Sequence, residues 1–325
     1  MQRYIAMKRI LTATLLLLSV SNCFAQYPET SISNGLVEAK VYLPDPSHGF
    51  YRATRFDWAG VVSSLKYKNH EFFGQWYDKH NPNVHDAIQG PVEAFDPIGY
   101  DTAKPGENYL KIGIGMLRKM NATPYRFSTQ GEIVNGGNWK VKKKKDRVEF
   151  THTLTDDSGY GYIYKKTLRL VKRSPELILQ HSIKNTGRKD IATSTFNHNF
   201  FMIDKQATGP DFTITLPFAI KNQSAGKDLI KFEGNQLKYL RELKKGDSTM
   251  EYPTGFTGDR VEDYDFTISN SKTGASVRIT ADRPLSDFWY WSVATTLSPE
   301  PFIKVQTKPG EKFTWNIKYE FKSKE

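Results

Sequence analysis

The hydrophobic pattern of this chain reads as strand almost throughout. Residues 37–43, 60–67, 109–116, 148–154, 161–171, 177–185, 191–203, 212–216, 264–270, 276–281, 288–294, 302–307 and 313–321 all look extended. Most are rich in β-branched or aromatic residues, and many are bounded by Gly, Pro, Asn or Asp. The best helical stretch, 228–244, is interrupted by Gly234 and reads equally as strand and loop. Many strands at short spacing, with almost no helix, predict an all-β sandwich or barrel. The phrase Lys-Pro-Gly-Glu occurs at 104–107 and again at 308–311, each time ahead of an extended segment. Pro then Gly at the central positions is type II turn chemistry, so both are expected to be plain hairpin turns. With no longer repeat and no Ser- or Pro-rich linker, residues 26–325 are expected to form a single domain.

The N-terminus has a different pattern. Arg3, Lys8 and Arg9 precede an apolar run over 10–20, which leads into Ser21-Asn22-Cys23-Phe24-Ala25. A basic start, a short apolar stretch and small residues at the cut predict a secretory signal peptide over 1–25. A spanning helix needs roughly 20 apolar residues, so no integral membrane segment is expected. The reading is therefore an exported protein, periplasmic or extracellular, with lipoprotein anchoring at Cys23 as the less favoured alternative. A cut after Ala25 removes the one cysteine, so the exported domain is held by its core and not by a disulfide. The formal charge is +11, or +8 without the three cations of the leader. Such a charge suits anionic polysaccharide or membrane surface. Nucleic acid is not expected, since no recognised binding motif is present. The lysine run at 142–145 reads as a solvated turn, with anion binding as the alternative.

Chemistry concentrates in three places. The stretch IATSTFNHNFFMID at 191–204 alternates like a strand, which places Phe196, His198 and Phe200 on one face and Asn197, Asn199 and Phe201 on the other. An imidazole between aromatics is costly to bury unless its nitrogens find partners. Downstream, DRPLSDFWYWSVATTLSPEPFIKVQ carries Asp282, an aromatic cluster with Trp289 and Trp291, and Glu300 between two prolines. Each proline fixes its own φ and restricts the residue before it, a stiff mount for a base. Tryptophans supply flat apolar faces on which sugar rings stack. The long stretch 75–106, with His85, Glu93, Asp96 and Asp101, reads as a loop lining a cleft.

Asn197-His198-Asn199-Phe200-Phe201, then Asp282-Arg283-Pro284, SPEPF and KPGEKFTWNIKYEF, resemble the corresponding segments of aldose 1-epimerases, the galactose mutarotase-like family. DWAGVVSSLKYKNHEFF also looks like that family's opening hairpin, so the resemblance spans most of the chain. It implies a mostly antiparallel β-supersandwich and interconversion of sugar anomers without metal or organic cofactor. It also implies that Glu300 takes the anomeric proton while His198 protonates the ring oxygen, with Asp282 accepting a substrate hydroxyl. The chain departs from the pattern where Phe200 replaces a Tyr. It departs again where GIGMLRK, with Arg118 and Lys119, stands in place of an upstream His-Gly-Gly; His85 is the candidate substitute. The expected partner is carbohydrate, a monosaccharide or glycan end. Two alternatives stay open. One is a non-catalytic carbohydrate-binding protein using Trp289, Trp291 and Arg118. The other is a glycoside hydrolase or lyase with Glu93 and Glu300 as its carboxylate pair.

Overall fold

The computed structural model describes residues 27–226 and 228–324; the expected signal peptide and Cys23 lie outside the described residues. In chain order the strands are β1 (Glu29–Ser33), β2 (Val37–Tyr42), β3 (Val62–Tyr67), β4 (His70–Glu71), β5 (Val92–Phe95), β6 (Asn108–Lys111), β7 (Gly115–Arg118), β8 (Glu132–Asn135), β9 (Asn138–Lys143), β10 (Arg147–Thr155) and β11 (Gly161–Leu170). They continue with β12 (Glu176–Asn185), β13 (Ile191–His198), β14 (Phe212–Thr215), β15 (Ile230–Glu233), β16 (Gln236–Tyr239), β17 (Ser248–Glu251), β18 (Asp265–Asn270), β19 (Ala275–Ala281), β20 (Asp287–Val293), β21 (Thr296–Thr307) and β22 (Lys312–Ser323). A ten-stranded sheet has the order β15-β16-β14-β18-β19-β22-β12-β11-β10-β9, and a five-stranded sheet the order β17-β20-β21-β13-β5. Two smaller sheets, β1-β2-β3-β4 and β6-β7-β8, flank them. The architecture is the all-β, antiparallel sandwich that the strand pattern predicts.

The two large sheets differ in how they are buried. In β12, Leu177, Leu179, His181, Ile183 and Asn185 point inward while Glu176, Ile178, Gln180, Ser182 and Lys184 face out. That alternation is the signature of a sheet covered on one side only. By contrast, β5 is buried at every position, as is β21 from Thr296 to Ile303. The five-stranded sheet is therefore the middle layer. One of its faces packs on the ten-stranded sheet through Phe288, Tyr290, Trp315 and Tyr319. The other is covered by a second cluster with Phe50, Phe56, Tyr100, Phe196, Phe200 and Phe302. Fully burying each such side chain contributes about 1.5–3 kcal/mol.

Between the two large sheets lies a buried charged network. Glu93 on β5 accepts hydrogen bonds from Lys166 Nζ on β11, from His181 Nε2 on β12 (2.7 Å) and from Asn197 Nδ2 on β13 (3.0 Å). Lys166 also donates to the Ala59 carbonyl at 2.8 Å. Asp57 accepts from the Tyr164 hydroxyl at 3.0 Å, and its amide donates to the Glu93 carbonyl at 2.8 Å. Burial pushes Glu93 up, but Lys166 and His181 outweigh it and hold the carboxyl below its usual range. The network fastens the 57–59 segment and the middle layer to the outer sheet.

Several local expectations change. The 228–244 segment is not helical: it forms the β15–β16 hairpin, with Gly234 at φ 60° in the turn. The expected strand at 109–116 is a hairpin, β6 and β7, broken by Gly113 at φ 78°. The 191–203 strand stops at His198. The lysine run is only partly turn, because Lys142 and Lys143 belong to β9. The long 75–106 stretch contains β5. Both Lys-Pro-Gly-Glu phrases are turns of one design. Glu107 and Glu311 each donate an amide to the turn-opening lysine's carbonyl and accept that lysine's amide on the side chain.

Truncating Glu93 leaves Lys166 buried without its carboxylate. Glu93→Ala is expected to lower unfolding free energy by about 3–5 kcal/mol, read by urea denaturation.

Candidate active site

His198 is the last residue of β13, and the turn directly after it sets its surroundings. Phe200 adopts φ 44°, a left-handed conformation that bulky residues avoid. The turn lays the Phe200 ring flat on the His198 imidazole, centroids 3.6 Å apart and 9° from parallel. Trp76 stacks 5.3 Å from Phe200, while Phe56 and Trp291 meet the imidazole edge-on at 5.6 and 5.3 Å. Gly90 touches this turn closely: a Cβ there would come within 2.1 Å of the Asn199 carbonyl oxygen.

Glu300 reaches the same point from β21. Pro299 and Pro301 are compatible with this central strand because β13 departs from the sheet there: its register with β21 ends at the Phe196–Phe302 pair. Asn199 takes over the join. Its amide nitrogen donates to Ser298 Oγ (2.8 Å), its Nδ2 to the Pro299 carbonyl (2.6 Å), and its Oδ1 accepts from Tyr319 (2.8 Å). The result places His198 Nε2 3.1 Å from Glu300 Oε1, with both side chains buried. His198 Nδ1 is buried without a hydrogen-bond partner among the described residues.

The pair opens onto a cavity of about 80 Å³, lined also by Arg55, Asp86, Phe127, Phe200, Met250 and Trp291. Arg55 pairs with Asp86, and its guanidinium lies over the Phe56 and Phe127 rings at 4.6 and 5.0 Å. The cavity is smaller than the roughly 300–1,000 Å³ of ordinary small-molecule sites. Burial pushes the Glu300 carboxyl up to about 8, despite the nearby Arg55. Burial, followed by Arg55, holds the His198 imidazole well below its ordinary value. Near neutral pH the favoured form has both side chains neutral.

Of the residues singled out in the sequence, the structure brings His198, Glu300 and Trp291 together. His85 stands one step away, its Nε2 2.9 Å from Asp86. Asp282, Arg118, Glu93 and Trp289 do not line the cavity. Asp282 is exposed and accepts two hydrogen bonds from Asn316, which tie β19 to β22. Arg118 ends β7 on the surface, 3.4 Å from Glu132. Glu93 points into the space between the large sheets, on the opposite face from Glu300, so the proposed carboxylate pair is not formed. His198 and Glu300 are in contact, with no sugar-sized gap between them. Arg55 and Asp86 were not anticipated; a cation among aromatics in FYRATRFDW carries no motif.

No family model matches this sequence, and no curated protein does. Solved structures do. A GalM/aldose epimerase homologue from C. elegans superposes with a TM-score of 0.57 at 14% identity, covering 92% of this chain and 99% of that one. A galactose mutarotase-like protein from Lactobacillus casei gives 0.54 at 15% identity, over 90% and 100%. A putative aldose 1-epimerase from Escherichia coli K12 gives 0.54 at 11% identity, over 91% and 99%. This chain has the galactose mutarotase-like fold. At these identities the likeness concerns the scaffold.

The raised Glu300 carboxyl has a stability consequence with a definite sign. The folded state holds this proton to about 8, the unfolded chain to its ordinary 4.5. The stabilisation is therefore complete below 4.5 and is lost as pH rises toward 8. Glu300→Gln has no proton to lose. Its melting temperature relative to wild type is expected to rise between pH 5 and pH 9, as read by calorimetry.

Proposed function

We propose that this protein is an exported aldose 1-epimerase-like isomerase that interconverts the anomers of a sugar, with Glu300 and His198 as its proton carriers. The observation that carries the reading is the buried His198–Glu300 contact at 3.1 Å inside a mutarotase-like fold. The leader-like N-terminus supports export. The aromatic walls and Arg55 suit a ligand with apolar ring faces and many hydroxyls.

Proton bookkeeping supports the same reading. A neutral Glu300 with a neutral His198 is one tautomer; carboxylate with imidazolium is the other, reached by moving one proton across the contact. When Arg55 and a sugar displace water, the carboxylate form can accept the anomeric hydroxyl's proton. The imidazolium gives its Nε2 proton to the ring oxygen as the C1–O bond breaks, leaving an open-chain aldehyde. Both side chains are then neutral, the resting tautomer. Rotation about C1–C2 and the reverse transfers give the other anomer. A cavity of about 80 Å³ has no room for a sugar ring, so binding requires the lining side chains to rearrange.

Optical rotation of freshly dissolved aldoses tests this. The protein is expected to hasten the drift for at least one sugar, and His198→Ala and Glu300→Gln each to lower kcat/KM by about 10²–10⁴ while remaining folded. Wild-type rates in both variants overturn the assignment; glycan binding with no effect on rotation favours a non-catalytic binding protein. The working pair needs its shared proton. Hence kcat/KM should be flat from pH 6 and fall above about 8, as Glu300 ionises beside a neutral His198.

A further inference from the structure

The described residues carry a formal charge of +8: the chain's +11 less the four cations and one acid outside them. Most of it lies on one surface. On the outer face of the adjoining strands β9, β10, β11, β12 and β22, nine cations stand against three acids, Glu149, Glu176 and Glu320, a net of +6. The arrangement runs against stability. Arg147 lies directly opposite Arg169, and Lys184 directly opposite Lys312. Like charges in register, with Cβ atoms about 4.5–5.5 Å apart, destabilise a sheet. The acids relieve this only at Arg147, which Asp146 and Glu149 both hold. Glu149 pairs with Arg147 and Lys144, Glu176 with Lys318, and Glu320 with Lys322. Among the described residues, Lys140, Lys165, Arg169, Lys184 and Lys312 have no carboxylate within 4 Å.

The positions between the cations are hydroxyls and amides. Thr151 sits between Lys140 and Lys165, and Gln180, Ser182 and Thr314 continue across the sheet. Apolar side chains on this face are Ile163 and Ile178, too few to insert into a bilayer. There are no aromatic platforms for stacking bases. The cations, set among hydroxyls and amides rather than apolar groups, with Lys165 and Arg169 on one strand and Lys184 beside Lys312 on the next two, fit a polymer that carries both anions and hydroxyls.

We propose that this face binds a linear acidic polysaccharide, with its carboxylates seated over Lys165, Arg169 and the Lys184–Lys312 pair. The His198 cavity lies on the far side of the middle layer, so a bound polymer leaves it uncovered. The inference rests on charge and register alone, independent of any activity at His198.

Calorimetric titration of the full chain with polygalacturonate oligomers tests it. Neutral dextran, phosphatidylserine vesicles and duplex DNA are run alongside. Wild-type protein is expected to bind polygalacturonate saturably and not dextran. A face variant, Lys165→Gln with Arg169→Gln, Lys184→Gln and Lys312→Gln, should lose about tenfold or more in affinity and show a shallower dependence on salt. A control variant neutralising four exposed lysines off this face, Lys79, Lys104, Lys221 and Lys245, should bind within about twofold of wild type. Because the face variant removes like-charge neighbours, its melting temperature should not fall. Absence of polygalacturonate binding, equal losses in the two variants, or tighter binding to vesicles or DNA would each overturn the proposal.

Discussion

One buried contact, Lys166 with Glu93, organises the molecule. Both side chains are fully enclosed between the two large sheets. A charge there is tolerated only when paired and hydrogen-bonded, and Glu93 satisfies Lys166, His181 and Asn197 at once. Each partner comes from a different strand, so the requirement to satisfy the charge fixes how β5 and β13 lie on β11 and β12. Asn197 precedes His198, and Asp57, bonded through its amide to Glu93, follows Arg55 and Phe56. The charged network on one face of the middle layer thus sets the positions of the groups that line the cavity on the other.

The two faces divide the chemistry. Toward the large sheet, Lys166 and His181 keep Glu93 ionised against the pull of burial. Toward the cavity, Glu300 and His198 sit among rings, and burial favours the form in which neither is charged. Their 3.1 Å contact brings two proton-carrying groups together, as the proposed interconversion requires. Asn199 completes the arrangement by bonding to Ser298, Pro299 and Tyr319 where the regular ladder has ended.

Much of this was legible in the residues. Aromatic and β-branched runs located most strands. The alternation of 191–204 assigned the two faces correctly: Phe196, His198 and Phe200 line the second cluster, while Asn197 and Asn199 bond toward the large sheet. Proline-bracketed Glu300 was visible as a stiffly mounted acid. What was not legible depends on contacts distant in sequence. Glu93 looked like a cleft residue because Lys166 and His181, its partners, lie 73 and 88 positions away. Asp282 looked like a ligand group, yet Asn316 takes both its oxygens. Arg55 reveals itself only when Asp86, Phe56 and Phe127 are folded around it.

The central claim is that buried Glu300 keeps its proton beside a neutral His198. Carbon and nitrogen NMR of the folded protein, with labelled Glu and His, reads both groups directly. The account predicts that the Glu300 carboxyl carbon titrates near about 8, while the His198 nitrogens keep a neutral imidazole signature to well below 6.5. A carboxyl that titrates near 4.5 beside an imidazole that titrates near 6.5 would show two independent, solvated groups and contradict it.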